Sequence, residues 1–258
     1  MVYLLLLVNF AVYVANDWTV ATHTARPDWT LLQWAGAFAT TLDELAWFTL
    51  LLLFELETYL LDDKAFTRTR VIVMHGLRVV CFLFIAHTVY AFADYALDLQ
   101  EATPVAAENL CHFRGEGVAY ARNLVYTPVD AANCASLSNG DTFYRFESDT
   151  LVTDADGMRI ERELAWIDVA EVVAWLLIVL FIELQVRLQE RGITGGRALR
   201  TAQWVQTGLY TLLWCAAGYW LYRGHWVFAW DEALWILGFM AIGMNMKEWR
   251  EEIKEAQA

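Results

Sequence analysis

Residues 38–62 read FATTLDELAWFTLLLLFELETYLLD, and the fold turns on how this stretch is understood. Between Asp43-Glu44 and Asp62-Asp63 it is almost wholly apolar, close to the ~20 residues a helix needs to cross ~30 Å of hydrocarbon. A soluble helix or strand would alternate polar and apolar faces, whereas Leu50–Phe54 and Val79–Ala86 run unbroken. The stretch also opens on a spacing of its own: an aromatic, an acid five residues on, and Trp nine residues on. Phe38/Asp43/Trp47 is repeated in this form by Trp166/Glu171/Trp175 and Trp226/Asp231/Trp235.

Outward from that stretch, five or six apolar runs are separated by short charged loops. The expected fold class is an all-α integral membrane protein of six transmembrane helices, about 2–16, 42–61, 71–92, 165–188, 202–222 and 226–246. In domain terms, 1–94 holds the first three helices with an outer loop at 17–41, and 95–164 is a polar insertion. Residues 165–246 then hold helices four to six, and 247–258 form a charged tail. Pro27-Asp28 suits a helix start, since Pro is tolerated in a first turn. The apolar run Trp29–Phe38 then either lies in the membrane interface or lengthens the second helix into one rod. The opening MVYLLLLVNFAVYVAND has no basic region and no small-residue cleavage site, and reads as a retained helix.

A net charge of -13 argues against a nucleic-acid partner, because phosphate binding needs a basic footprint. Thirteen tryptophans suit interfacial belts, where an amphipathic ring sits at headgroup depth. Cys81 and Cys215 fall in apolar runs and read as packing residues. Cys111 and Cys134 fall in the polar insertion, where a disulfide places the segment in an oxidising compartment such as a bacterial periplasm. Within the insertion, 142–148 and 151–159 read as strands of a β-hairpin, with Asp154-Ala155-Asp156-Gly157 as a turn. The same two aspartates do not fit the EF-hand pattern.

Basic residues set an orientation. Lys64, Arg68 and Arg70 follow helix two; Arg187, Arg191, Arg197 and Arg200 follow helix four; Lys247, Arg250 and Lys254 follow helix six. By the positive-inside rule these segments are cytoplasmic, as are both termini, and 95–164 is periplasmic. The expected location is therefore a bacterial inner membrane. The repeated spacing then marks the periplasmic start of each inward-running helix. The pairs Ala46-Trp47/Glu55-Leu56 and Ala174-Trp175/Glu183-Leu184 share a second offset. Three related hairpins would place Asp43, Glu171 and Asp231 in one acidic entrance that attracts cations. Ordinary membrane physics yields the same spacing, because acids suit helix N-termini and Trp suits the interface.

A carboxylate inside hydrocarbon costs several kcal/mol unless it is paired, hydrated or protonated, so Glu55 and Glu183 carry the most information. Glu44 and Glu55 fall on one face of helix two, about 16 Å apart in height, while Glu57 points nearly opposite. Arg78 on helix three matches Glu55 in depth, and a Glu55–Arg78 pair is expected as clamp or gate. Glu183 has no Arg counterpart on helix five, where Gln203 and Gln206 are the nearest polar groups, and is expected to bind a proton or cation. His75 and His87 are about 18 Å apart along one helix and cannot hold one haem, so His87 reads as a polar packing residue near the gate. No P-loop, nucleophile elbow, HExxH or CxxC is present, so no enzyme activity, cofactor or metal site is expected.

Three functions follow from this reading. The first is a cation channel or carrier using Glu55, Arg78, Glu183, Glu44 and His87 with the acidic entrance. The second is a non-enzymatic accessory or scaffold subunit of a larger membrane complex. The third is a membrane redox subunit, which the histidine spacing disfavours. Expected partners are the lipid bilayer, further copies of the chain or other membrane subunits, and small cations.

Overall fold

The computed structural model describes residues 2–56, 67–146, 150–193 and 195–257. The expected exit Asp62-Asp63, the basic Lys64, the outward-pointing Glu57 and the strand end at Glu147 and Ser148 lie outside the described residues. The chain forms two compact units, Met1–Val169 and Ala170–Ala258. Helix dominates both, with one small sheet in the first.

The first unit opens with α1 (Val2–Thr24), α2 (Leu31–Ala37), α3 (Ala39–Glu55) and α4 (Arg68–Glu101). α1 continues eight residues past the expected end, so the loop at 17–41 is mostly helical. Thr30 caps α2 and Gln33 reaches back to it, a reciprocal pair that satisfies the donors of the first turn. The chain then bends by 76° between α2 and α3, which excludes one long rod. Asp17 of α1 holds the bend from the other side. Its carboxylate accepts from the Thr41 amide at 2.8 Å and the Thr41 hydroxyl at 2.7 Å, serving donors of the first turn of α3. The Thr88 hydroxyl donates to the Ala39 carbonyl at 3.3 Å and ties α4 to the same turn.

Residues 95–101, expected in the polar insertion, extend α4 by two turns. Ala96 and Leu99 point inward and nucleate the core of the domain that follows. That domain contains β1 (Pro104–Val105), β2 (Ala119–Arg122), β3 (Val125–Pro128), β4 (Phe143–Arg145) and β5 (Leu151–Asp154). Their order in the sheet is β1-β4-β5-β2-β3, antiparallel except for β2 beside β5. The two-residue period of strands divides the core cleanly. Ala119, Ala121 and Leu151 face α4 and the start of α5 (Ala155–Glu190), while Tyr120 and Val152 face Phe113, Phe143 and Cys134. The Cys111–Cys134 disulfide closes the second layer.

The expected β4–β5 hairpin is present, but its turn is not Asp154–Gly157. That tetrapeptide instead starts α5. The Asp154 carboxylate accepts from the Gly157 amide at 2.7 Å, as an N-cap does. A Cβ at residue 157 would collide with the Thr153 hydroxyl, so only glycine fits there. The turn between β2 and β3 uses Asn123 and Leu124, both at positive φ. Leucine is strained there, and the Leu124 amide is held by the buried Glu161 carboxylate at 3.1 Å. Arg162 of α5 donates to the Leu99 carbonyl at 2.7 Å, closing the C-terminal end of α4.

The second unit contains the rest of α5 with α6 (Arg197–Arg223) and α7 (Trp226–Gln257), and α6 packs against α7. Three helices among the described residues are long and apolar enough to cross a membrane, namely α1, α4 and α5. A fourth crossing results if the bent pair α2–α3 is one span. α6 does not reach that threshold, unlike the sequence expectation, because Gln203, Gln206, Thr207 and Thr211 interrupt its apolar run.

Two outcomes follow for the disulfide-bearing domain. Replacing Cys111 and Cys134 by serine should destabilise it by about 3 kcal/mol, the loop entropy of a bridge of this span. Limited proteolysis should then cut within 102–150 while the helices persist. The second outcome concerns Asp154, where burial works to raise the carboxyl pKa but bonds from Ser138, Gly157 and Tyr120 outweigh it, leaving it below 3.8. A depressed carboxyl stabilises above its unfolded value, and that share vanishes as pH falls through the folded one. Asp154→Ala should cost about 2–4 kcal/mol, from a lost cap and a stranded Tyr120 hydroxyl, and should flatten acid unfolding below pH 3.8.

Candidate functional site

Three acids, Asp43 in α3, Glu171 within α5 and Glu232 in α7, share one solution to burial: the donor facing them is an indole. In α3, the Trp47 N–H donates to Asp43 at 3.0 Å, one turn away on the same helix. In α5, Trp220 of α6 donates to both oxygens of Glu171, at 2.8 and 3.0 Å. Trp175, the residue whose spacing matches Trp47, donates instead to Glu232 of α7 at 3.1 Å. Asp231 is buried beside Glu232. Within the second unit, Glu171 and Glu232 are therefore joined through a single turn of α5.

Aromatic rings close this cluster. Trp175 lies 5.1 Å from Phe239, Trp220 lies 5.2 Å from Phe228, and His225 stacks on Phe228 at 5.3 Å. Further along α5, Gln185 donates to Gln206 of α6 at 2.9 Å, continuing the polar contact between the two helices. An indole N–H satisfies one oxygen lone pair without neutralising the charge. One oxygen of Glu232 is buried with no hydrogen-bond partner among the described residues.

The sequence expected the tryptophans of the repeated spacing at the membrane surface. Their positions divide. Trp47 and Trp175 are buried donors, while the leading Trp166 and Trp226 are exposed, as are Trp18, Trp204 and Trp230. Asp43 belongs to the first unit and Glu171 and Asp231 to the second. Glu232, the acid that carries the Trp175 bond, was not singled out by sequence. The signal was its adjacency to Asp231 at the start of an apolar helix.

Glu183 departs most from expectation. It is exposed and pairs with Arg187 at 2.6 Å, one turn along α5. The i,i+4 geometry supplies the arginine from the same helix, so no cation on a neighbour is needed. Gln206, expected opposite Glu183, serves Gln185 instead. Glu55 is half-buried and accepts from the Tyr3 hydroxyl of α1 at 2.6 Å, a partner 52 residues away that no local spacing reveals. Arg78 is half-buried on α4, and Glu44 is buried on α3. His87 is half-buried beside Tyr90, and its Nε2 is buried with no hydrogen-bond partner among the described residues.

Among the described residues no group of three or more His, Cys, Asp or Glu side chains is placed to hold a metal ion. In the disulfide-bearing domain, burial pushes the Tyr120 hydroxyl up to about 12, reinforced by Asp154 at 2.8 Å. Burial, with Glu161 and Asp168 nearby, likewise raises Tyr126, which stacks on His23 at 5.5 Å. Comparison of the chain with protein-family models, with curated proteins and with solved structures gives no match.

The Glu171–Trp220 contact is testable by a double-mutant cycle. Trp220→Phe and Glu171→Gln should each destabilise the second unit by about 1–3 kcal/mol in thermal unfolding, and the pair by clearly less than their sum. Additive losses would show that the bond contributes nothing beyond packing.

Proposed function

We propose that the protein is a bacterial inner-membrane carrier or channel for protons or small cations, with the carboxylates Glu171, Asp231 and Glu232 as the place of binding. Six crossings, cytoplasmic termini and a periplasmic segment at 95–164 complete this reading. The three strongly apolar helices, the disulfide and the clustering of basic residues in 64–70, 187–200 and 247–254 support it. In that arrangement α6 and α7 cross with their polar groups turned toward protein, where Gln185–Gln206 and Trp175–Glu232 satisfy them.

The observation that carries the reading is Glu232. Its carboxylate has one oxygen on an indole and the other buried without a donor, next to a second buried acid. A carboxylate held in this way sits in a poor solvent for charge, and a proton or cation relieves it. The exposed pair Glu183–Arg187 plays no part, because its charge is already balanced. Glu55, with its hydroxyl partner on α1, Arg78 and Glu44 remain candidates for a gate in the first unit.

One observation favours a second reading, that of an accessory subunit. α6 exposes Trp204 at 74% and Tyr222 at 80% while lacking the apolarity of a lone span, as a helix does that meets another protein. Flux into liposomes holding the purified protein separates the two. On the first reading, pH- or cation-sensitive dyes report uptake, Glu232→Gln lowers it at least about tenfold, the factor for removing ~1.4 kcal/mol of binding, and Glu183→Gln leaves it unchanged. Protein that folds and inserts yet gives no flux under any gradient rejects the carrier and leaves the accessory subunit.

A further inference from the structure

We infer that α2 is an interfacial anchor whose partner is the headgroup and upper acyl region of the bilayer that α3 enters, an inference that rests on the membrane reading above. Four observations carry it. α2 is a seven-residue helix with no buried residue. Helices so short do not persist in water on their own, and α1 and α4 cover this one only in part. Its leading apolar side chains are turned away from the protein, with Leu31 at 87% and Leu32 at 58% exposed. Leu31, Trp34, Ala35 and Phe38 follow at i, i+3, i+4 and i+7, giving one apolar stripe with Gln33 opposite.

The bend fixes what that stripe meets. α2 turns 76° from α3, so a helix crossing the membrane as α3 does leaves α2 lying close to the membrane plane. No charged residue occurs from Trp29 to Leu42, which suits the interface rather than the aqueous surface above it. Trp29 and Trp34 stack edge to face at 5.3 Å, and Trp34 stacks on Phe38, so the aromatic groups favoured at headgroup depth gather at this corner. The Thr30–Gln33 capping box satisfies the exposed end of the helix internally, which lets it settle where water is scarce.

Nitroxide labels on single cysteines, in full-length protein with Cys81 and Cys215 replaced and reconstituted in lipid vesicles, test this. Accessibility to oxygen and to a water-soluble nickel chelate is read at residues 31, 79 and 141. Residue 79 lies mid-helix and exposed on α4, and residue 141 lies in the disulfide-bearing domain. The expected result is oxygen favoured strongly at 79, nickel favoured at 141, and oxygen favoured several-fold less at 31 than at 79, marking shallow insertion. Nickel access at 31 equal to that at 141, with 79 still lipid-exposed, overturns the anchor alone. Shielding of 31 from both reagents overturns it too, by showing that a protein surface covers α2. Nickel access at 79 overturns the membrane reading itself. Leu31→Gln offers a check without a label: it should speed proteolysis between residues 24 and 40 several-fold in vesicles and leave it unchanged in detergent.

Discussion

A carboxylate that leaves water must find donors in the protein, and here the donor is repeatedly the indole N–H. Trp47, Trp175 and Trp220 donate to Asp43, Glu232 and Glu171. The choice has consequences that lysine or arginine would not have. A buried ion pair desolvates two charges, and the gain in attraction often fails to offset the cost. An indole brings one donor on a large apolar body, so it satisfies an oxygen while adding packing surface. Trp175 does both, with its N–H on Glu232 and its ring against Phe239. An indole brings no positive charge, so a helix contact built this way leaves the carboxylate's charge unbalanced where a salt bridge would balance it.

The disulfide-bearing domain depends on a different kind of acid. Asp154 accepts from the Tyr120 and Ser138 hydroxyls and from the Gly157 amide, so one side chain joins β2, the loop before β4 and the first turn of α5. These donors surround the charged form and hold it charged. The strand therefore passes directly into a helix with no intervening loop, and that helix runs from Ala155 to Glu190. Arg162 fastens the same helix to the last carbonyls of α4 at 2.7 Å. The sheet is thus tied to α5, and α5 to α4, by hydrogen bonds, with Ala96, Leu99, Met158 and Ala165 packed between.

Much of the architecture was legible in the sequence, because apolar run length and the pairing of Cys111 with Cys134 reflect single dominant forces. The β4–β5 pairing was legible for a similar reason, through its alternating residues. What was not legible turned on choices between locally equivalent chemistries. Asp-x-x-Gly serves a hairpin turn or a helix cap equally well, and the tight fit of Gly157 against Thr153 decides for the cap. Residues 95–101 and 155–164 are too charged to read as membrane helix, yet they continue the apolar helices α4 and α5 without a break. The arginine of Glu183 lies four residues on in its own helix rather than on a neighbouring one. Glu55 met Tyr3, and only tertiary structure brings residues 52 apart in sequence together.

The repeated aromatic–acid–tryptophan spacing deserves a physical origin rather than a genealogical one. Had three hairpins descended from one and kept its contacts, Trp175 would serve Glu171 as Trp47 serves Asp43. It does not: Trp175 crosses to Glu232, and Glu171 is served by Trp220, which lies outside the repeated pattern. What persists is the requirement, not the pairing. Asp43 and Asp231 fall in the opening turns of α3 and α7, where an acid complements the dipole, whereas Glu171 lies well inside α5. In each case a tryptophan one turn deeper offers a donor to whichever carboxylate packing brings near. The leading aromatic meets a separate demand, which is why Trp166 and Trp226 stay exposed while Trp175 is buried. A spacing favoured by the burial of charge, and for Asp43 and Asp231 by the helix end as well, recurs without any need for contacts to be inherited.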